Sequence, residues 1–356
     1  METVKLGLLI KKTKVARCGE HSYPVLSITK QDGIIMQSEK FKKRIASADT
    51  SDYKIIPRGK LVQGIHIDEG NFGIQDIVDN GIVSPAYGVW DVNDGLVIPK
   101  YLEMVLRSPK SIEFYRSKLT GTVNRRGHMS DADFLSMDIP LPDRDTQSKI
   151  LKTMKQTTSV LYSRQQQLAK LDELIKARFV EMFGDKNYHY ESLINLILDG
   201  TSLSYGIVQP GNDGTGDMGV LRPVDIVDGK LTMSSIKYID RSIGEGFKKT
   251  ELDGDELLIT VRGTTGITAL TDGRFAGMNV TRGIAVIRYN RKKINPLYLS
   301  AYFNTDESQR YIQEHTRGAT LQQINLSDLR IQRIMLPPLS LQNQFAAFVA
   351  EVDKSK

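Results

Sequence analysis

The chain has 356 residues, of which 40% are hydrophobic and 25% charged, a composition that is ordinary for a globular protein large enough to bury two cores. Its formal net charge of +6 is compatible with a polyanionic partner but does not require one. No apolar run reaches the roughly 20 residues of a membrane span, and a single cysteine, Cys18, excludes an internal disulfide framework and favours a reducing, cytoplasmic location. The N-terminal residues do not have the pattern of a signal peptide, and we expect no membrane association.

The predicted elements of the first half are strands followed by helices. Alternating and β-branched residues predict strands over residues 60–67 and 87–92. Pro99 then precedes a helix with apolar spacing, and a short Pro-rich strand follows at residues 137–142. The second half repeats this order, with strands over residues 256–261 and 283–289, a helix after Pro296 and a Pro-rich strand at residues 334–339. The fold class is therefore mixed α/β, of the α+β kind.

An internal repeat underlies this order. Residues 101–154 match residues 298–351 without a gap at an offset of 197, through pairs such as Tyr101/Tyr298, Gly121/Gly318 and Gln147/Gln344. In this register Asp143 and Ser340 are equivalent, and each is a suitable helix N-cap. The repeat therefore predicts two copies of one domain, related by approximate symmetry.

A long helix is predicted after Asp143, reaching about Phe183 before Gly184. About 40 residues at ~1.5 Å each make a rod of roughly 60 Å. Its apolar spacing is that of a coiled-coil seam, and a second helix after residue 340 begins the same pattern, so we expect the two to pair in antiparallel fashion. A simple interdomain linker helix is the alternative. The seam residues are Leu161, Leu168, Leu171, Ile175 and Met182, followed by Leu341, Phe345, Phe348 and Val352.

The sequence contains none of the catalytic motifs that we sought. It has no P-loop and no Asn/Asp-Pro-Pro-aromatic segment, and no glycine-rich loop follows a strand as a nucleotide or S-adenosylmethionine site requires. The five histidines are scattered without metal-ligand spacing. We therefore predict no catalytic residue, no cofactor and no metal in this chain, although a site assembled from dispersed residues stays open.

Polar loops at equivalent places in the two copies are the candidates for binding. Arg, Gln and Asn read base edges in the major groove, while hydroxyls and the backbone amides of glycine loops suit phosphate oxygens. Each residue taken alone also fits an ordinary solvent loop, but as a set on a duplicated scaffold they indicate DNA binding. The set is Arg125, Arg126 and His128 in the first copy, and Tyr205, Gln209, Arg222, Arg262, Thr264, Thr265, Arg282, Arg317, Gln322 and Gln323 in the second.

These motifs resemble the DNA-specificity subunit of type I restriction–modification systems. The resemblance rests on the duplicated ends Ile139-Pro140-Leu141-Pro142 and Leu336-Pro337-Pro338-Leu339, each with a glutamine five residues on, and on three further motifs. It extends over essentially the whole chain. The further motifs are Gln323-Ile324-Asn325-Leu326, Arg262-Gly263-Thr264-Thr265-Gly266 and Phe179-Val180-Glu181-Met182-Phe183-Gly184.

The resemblance implies two target-recognition domains, residues 1–142 and 186–339, each reading half of a split sequence in double-stranded DNA. It implies that residues 143–185 and 340–356 form antiparallel helices that act as a ruler, the second being shorter than is usual in the family. The expected partners are two copies of a methyltransferase subunit and, in addition, a restriction and motor subunit. The alternatives are a methyltransferase or nuclease with a dispersed site, and a scaffold or decoy without DNA selectivity.

Overall fold

The structure, a computed structural model, describes residues 2–40, 49–119, 129–184, 186–211, 214, 216–319 and 321–356. It divides into two compact units, Met1–Ser163 and Arg164–Lys356, and the division falls inside one long helix. Each unit combines helices with small, mostly antiparallel sheets, as the α/β interpretation predicted. Among the described residues, no helix is both long and apolar enough to cross a membrane.

Within its described residues, the first unit contains ten strands and five helices, followed by the long helix α6. The helices are α1 Leu6–Leu9, α2 Gln37–Lys40, α3 Pro99–Leu106, α4 Pro109–Lys118, α5 Asp131–Leu135 and α6 Arg144–Phe183. The strands are β1 Thr3–Lys5, β2 Ile10–Lys12, β3 Leu26–Thr29, β4 Gly33–Met36, β5 Lys54–Pro57, β6 Leu61–Gln63, β7 Phe72–Ile74, β8 Asn80–Val83, β9 Gly88–Val92 and β10 Asp138–Pro140. Its largest sheet has the order β2-β9-β6-β7.

The second unit contains a corresponding sheet of order β12-β20-β17-β18 and a separate three-stranded sheet of order β16-β13-β19. The helices are α7 Arg241–Gly244, α8 Pro296–Phe303, α9 Asp306–His315, α10 Leu326–Ile331 and α11 Leu339–Lys354. The strands are β11 His189–Ser192, β12 Ser204–Tyr205, β13 Met218–Leu221, β14 Ile226–Val227, β15 Lys230–Leu231, β16 Lys237–Ile239, β17 Leu257–Thr260, β18 Thr268–Leu270, β19 Asn279–Val280, β20 Ile284–Ile287, β21 Thr316–Arg317, β22 Gln323–Ile324 and β23 Arg333–Leu336.

The repeat is visible in matching helix boundaries. Helices α3 and α8 both begin at a proline and span eight residues, and α4 and α9 both span ten, so the offset of 197 holds from Pro99 to Lys118. Proline suits the first turn because that position needs no N–H donor. Ser108 and Thr305 then cap the second helix of each copy, each accepting a backbone N–H bond of 3.3 Å from the residue three positions later.

The ungapped register does not continue beyond these helices, and that prediction is wrong. Gln147 accepts a hydrogen bond from the N–H of Ile98 at 2.8 Å and donates to the carbonyl of Pro142 at 2.8 Å. In the second unit the same two bonds are made by Gln342, not Gln344, to the N–H of Asn295 and the carbonyl of Pro337. The offset has therefore fallen to 195. The second copy is two residues shorter between the end of α9 and β23, which a gap-free match could not reveal.

The same two-residue shift shows that the predicted N-cap of helix α11 is wrong. Asp143 caps α6 as predicted, because its carboxylate accepts from the N–H of Thr146 at 2.8 Å. Ser340 is not its counterpart, since α11 begins at Leu339 and Pro338 occupies the N-cap position. The offset of 195 places Pro338 opposite Asp143, so proline geometry rather than a side-chain bond starts α11.

Each unit has its own aromatic core. In the first, Phe134 stacks on Phe72 with ring centres 5.5 Å apart and meets Trp90 at 5.4 Å. In the second, Tyr298 lies 5.6 Å from Phe179, and its hydroxyl donates to the carbonyl of Met335 at 2.8 Å. Burial raises the pKa of Tyr298, which keeps this donor protonated.

The C-terminal part of α6 packs against α11 in antiparallel fashion. Phe345 meets Phe179 and Phe183 at ring distances of 5.4 and 5.8 Å, while the ammonium of Lys356, just beyond α11, lies 2.8 Å from Asp172. The contacts therefore run backwards along α6 as the chain advances along α11. The covered seam residues are Leu171, Ile175, Met182, Leu341, Phe345, Phe348 and Val352, all buried or half-buried. Leu161 and Leu168, in contrast, are 59% and 41% exposed.

The buried glutamine provides a test of the corrected register. We predict that Gln342→Ala lowers the free energy of unfolding by about 1–3 kcal/mol, because it leaves a buried N–H and a buried carbonyl without partners. Gln344→Ala is the matched control on the exposed side of α11, with an expected change within about 0.5 kcal/mol. Chemical denaturation of the two variants measures both. Equal losses in the two variants would contradict the offset of 195.

Candidate nucleic-acid interface

One end of the four-stranded sheet of the second unit gathers several of the predicted binding residues. Because neighbouring strands are antiparallel, the last residues of β12 and β17 lie beside the first residues of β20 and β18. Tyr205 pairs with Ala285, Thr260 with Ile284, and Ile259 with Thr268. We call this end the unit-2 edge, comprising residues 205–209, 261–267 and 281–283 together with the hairpin β21–β22.

The hairpin β21–β22 is attached to this edge through backbone bonds. The N–H of Ile324 donates to the carbonyl of Val261 at 3.0 Å, and the N–H of Gly263 donates to the carbonyl of Gln322 at 2.9 Å. Arg317 stands opposite Gln323 in the hairpin, and Arg262 forms an isolated bridge to Gln323. The loop 262–266 and the strands β21 and β22, which begin about 50 residues later in the chain, therefore form one surface.

A close approach of backbones adds the segment after β12 to the edge. Ile207 donates its N–H to the carbonyl of Val280 at 2.8 Å and accepts from the N–H of Arg282 at 2.9 Å. Gly206 is required for this, because a Cβ at that position would lie 1.8 Å from the carbonyl oxygen of Val280. The segment from Tyr205 to Gln209 is consequently bonded to the backbone at Val280 and Arg282.

The side chains at the unit-2 edge differ in how far they are available to a ligand. Arg282, Arg317, Thr264, Gln209 and Gln322 are exposed, while the other predicted residues are half-buried. Arg317 lies 3.9 Å from the carboxylate of Asp328, and the hydroxyls of Thr265 and Thr316 are 3.0 Å apart. Cationic, amide and hydroxyl groups on one surface are the combination that contacts base edges and phosphates.

Arg222 has a clear role within the fold. Its guanidinium donates two bonds of 3.2 Å to the fully buried carboxylate of Asp225, and it also donates to the carbonyl of Ser235. A buried carboxylate needs such a partner, because an unpaired charge in a low-dielectric interior is strongly destabilising. The backbone next to Arg222 joins the edge, since the carbonyl of Leu221 accepts from the N–H of Thr281 at 2.8 Å. Its contact with DNA stays a prediction.

The first-unit candidates Arg125, Arg126 and His128 lie outside the described residues. The structure shows, however, that strands β6, β7 and β9 of the first unit pair in the same order as β17, β18 and β20. The sequence reading did not single out the loop between β6 and β7, which is the counterpart of the loop from Thr260 to Gly266. The sequence did contain a signal for this correspondence. Gly59 matches Gly254 just before these strands, at an offset of 195 that is close to the offset of 196 between the strands.

Among the residues that the structure describes, no three His, Cys, Asp or Glu side chains come together in a way that could hold a metal ion. The groups that the unit-2 edge offers a ligand are hydrogen-bonding and cationic side chains.

The comparisons with known proteins agree with this geometry. Residues 215–356 match the model of the type I restriction modification DNA specificity domain, which confirms the resemblance predicted from the duplicated motifs. The chain is 25% identical to the type I restriction enzyme EcoBI specificity subunit of Escherichia coli over 160 residues, which are 45% of this chain and 34% of that relative. It is 22% identical to the putative type I restriction enzyme MjaX specificity subunit of Methanocaldococcus jannaschii, over 99% of this chain and 84% of the relative.

Solved structures support the fold of the whole chain. A chain from a structure describing complex assembly and conformational transition of the type I R-M system aligns with a TM-score of 0.56 and 17% identity, covering 99% of this chain and 90% of its own. The type I restriction–modification S subunit from M. genitalium aligns with a TM-score of 0.52 and 12% identity, covering 99% and 89%. At these identities the likeness concerns architecture: two domains and a long helix.

The unit-2 edge makes a prediction about binding. Replacing Arg282 and Gln322 together by alanine is expected to weaken binding to a selected duplex by about 1–3 kcal/mol for each base that is no longer read. Fluorescence anisotropy with a duplex enriched from a random library by the unaltered chain measures the change. Arg274→Ala is the matched control, an exposed arginine beyond the other end of β18, paired with Asp272 at 2.7 Å. Equal losses in both variants would argue against the edge.

Proposed function

We propose that this chain is the non-catalytic specificity subunit of a type I restriction–modification complex and that it recognises a two-part sequence in double-stranded DNA. The observation that carries the proposal is the duplicated sheet edge, which has the same strand pairing in both units but different loops. A shared scaffold with different loops suits the recognition of two different half-sites. The family match over residues 215–356 and the net charge of +6 support it.

We further propose the division of labour along the chain. Residues 1–142 and 186–339 act as the target-recognition domains, residues 143–185 as the joining helix and residues 340–356 as the start of the second helix. The exposed apolar residues of α6, such as Leu161, offer a surface for partner helices. The partners are modification subunits, in two copies because the scaffold is duplicated, and a restriction subunit can join them.

The test is a reconstitution with a modification subunit of a type I restriction–modification system from the same source as this chain. Mapping of methylated bases in DNA from cells that express both proteins is expected to give two short half-sites separated by unread base pairs. The chain purified alone is expected to transfer no methyl group and to cleave no DNA. Turnover by the chain alone would favour an enzyme with a dispersed site, and partner binding without sequence selectivity would favour a scaffold or decoy.

The length of α6 makes a further prediction. Seven residues inserted between Leu161 and Leu168 lengthen the helix by about 10 Å and preserve its apolar stripe. The insertion lies before Asp172, where the contact with Lys356 marks the far end of the α11 packing, so that packing stays intact. Since duplex DNA advances about 3.4 Å per base pair, the spacer between the half-sites is expected to grow by a few base pairs.

Methylome sequencing of cells carrying the insertion measures the spacer and both half-sites. The control is a seven-residue insertion in the exposed turn at residues 198–200, which is expected to leave the spacer unchanged. Altered half-site bases with an unchanged spacer would contradict the role of α6 as a ruler.

A further inference from the structure

The loop between β6 and β7 occupies the same place in the first unit as the loop between β17 and β18 in the second. The N–H of Gly64 donates to the carbonyl of Asn71 at 2.8 Å, and the N–H of Thr260 donates to the carbonyl of Ile267 at 2.8 Å. These bonds continue strand pairs that also correspond at an offset of 196. Residues 64–70 and 260–266 therefore correspond one to one.

The far ends of the two loops are also equivalent. Gly70 and Gly266 both have a positive φ, of 76° and 87°, which side chains rarely adopt. Each lies against the equivalent helix of its unit, α4 or α9: a Cβ at Gly70 would be 3.3 Å from Ile112, and one at Gly266 would be 3.1 Å from Ile312. The two loops are thus anchored at equivalent places, but their backbones differ in between, because Ile67–Glu69 form a short 3-10 helix whereas Gly263 has a φ of 84°.

The chemistry of the two loops is different. At the positions of Arg262, Thr264 and Thr265, the first unit carries His66, Asp68 and Glu69. His66 and Glu69 are exposed and Asp68 is half-buried, and neither carboxylate forms an ion pair with a described residue. A carboxylate facing phosphates is repelled, but it can accept hydrogen bonds from base amino groups, which the major groove presents at cytosine and adenine.

Cations lie beside this loop, along the chain that follows β2. The N–H of Thr13 donates to the carbonyl of Val89, extending the sheet by one residue, and Arg17 forms a β-bridge with Lys54. The ammonium of Lys54 donates to the carbonyl of Tyr87 at 2.5 Å, directly before β9 begins at the same edge. Burial lowers the pKa of Lys54, and the positive charges of Arg17 and Lys12 lower it further. The three cations are therefore close enough to repel one another.

These cations are only partly neutralised. Lys12 pairs with Asp131, and Arg17 bonds to the backbone carbonyl of Asp52, whose carboxylate is 4.0 Å away. Lys14 lies between them in the chain and is exposed, and it has no ion pair within the described ranges. The corresponding end of the sheet β2-β9-β6-β7, which we call the first-unit edge, therefore combines an acidic loop tip with a flanking group of cations. This arrangement fits duplex DNA, where amino groups lie in the groove between phosphate rows.

We propose that the loop Gly64–Gly70 reads bases for the first unit, with Asp68 and Glu69 accepting hydrogen bonds from the amino group of a cytosine or adenine in the major groove. Lys14, Arg17 and Lys54 hold the neighbouring phosphates. The proposal rests on the proposed function, because it assumes that the chain recognises duplex DNA. It assigns a recognition role to residues that lie about 55 positions before Arg125 and Arg126 in the sequence.

The carboxylates are tested by the double variant Asp68→Asn, Glu69→Gln, which keeps side-chain shape but removes both charges. The full chain and the variant each select from a library of 30-base-pair random duplexes, and the enriched half-sites are sequenced. At one or two positions of a single half-site, the preference for the selected base over the other bases is expected to fall about tenfold. The other half-site is expected to be unchanged. Affinity for unselected duplex is expected to stay equal or rise, since negative charge beside the phosphates is lost.

Asp94→Asn is the matched control, because Asp94 is exposed and follows β9 at the opposite end of the strand. It is expected to leave both half-sites unchanged. If the unaltered chain selects two half-sites and the double variant selects the same two with the same discrimination, the loop proposal is overturned while the proposed function stands. If the unaltered chain selects no sequence, the proposed function itself fails.

The cations are tested separately by Lys14→Ala and Lys54→Ala, with Lys110→Ala on helix α4 as the control for a lost exposed lysine. Each edge variant is expected to weaken binding to all duplexes alike and to lower the slope of log Kd against log salt concentration by about 0.9. Thermal unfolding of each variant separates a folding defect from a lost contact. An unchanged salt slope in stably folded edge variants would overturn the phosphate assignment.

Discussion

A buried glutamine holds the first turn of a helix to the globular part of each unit. Gln147 and Gln342 are fully buried, and each bonds to one backbone N–H and to the carbonyl of a proline five residues earlier. A side-chain amide can satisfy both a donor and an acceptor at once, and apolar residues cannot replace it there without leaving both unpaired. This bond pair fixes the first turns of α6 and α11 against the loops that precede α3 and α8.

The sheets explain how one scaffold carries two chemistries. Backbone bonds and buried apolar residues form the strands, and the loops at one edge add Ile67 to one core and Val261 to the other, while His66, Glu69 and Thr264 stay exposed. Arg262, Thr264 and Thr265 in one unit correspond to His66, Asp68 and Glu69 in the other, yet Gly70 and Gly266 keep the same backbone geometry. Recognition can therefore change by substitution at the edge without a cost in packing.

Helix α6 is stabilised unequally along its length. Its C-terminal part is covered by α11 through Phe345 and its aromatic neighbours, while Leu161 and Leu168 stay exposed. An isolated helix of this length gains little stability from propensity alone, so an exposed apolar stripe favours association with further helices.

The sequence alone determined the mixed α/β fold class, the repeat, the main strands and helices, and the long helix from Arg144 to Phe183, because periodicity, prolines and caps are local signals. It could not determine the two-residue change of register, since Gln342 and Gln344 are both glutamines close to the same motif and only buried hydrogen bonds distinguish them. Nor could it separate Arg222, which neutralises Asp225, from Arg282, which is exposed. Those distinctions depend on which side chains share a neighbourhood, and only tertiary structure brings residues 50 to 100 positions apart to one sheet edge.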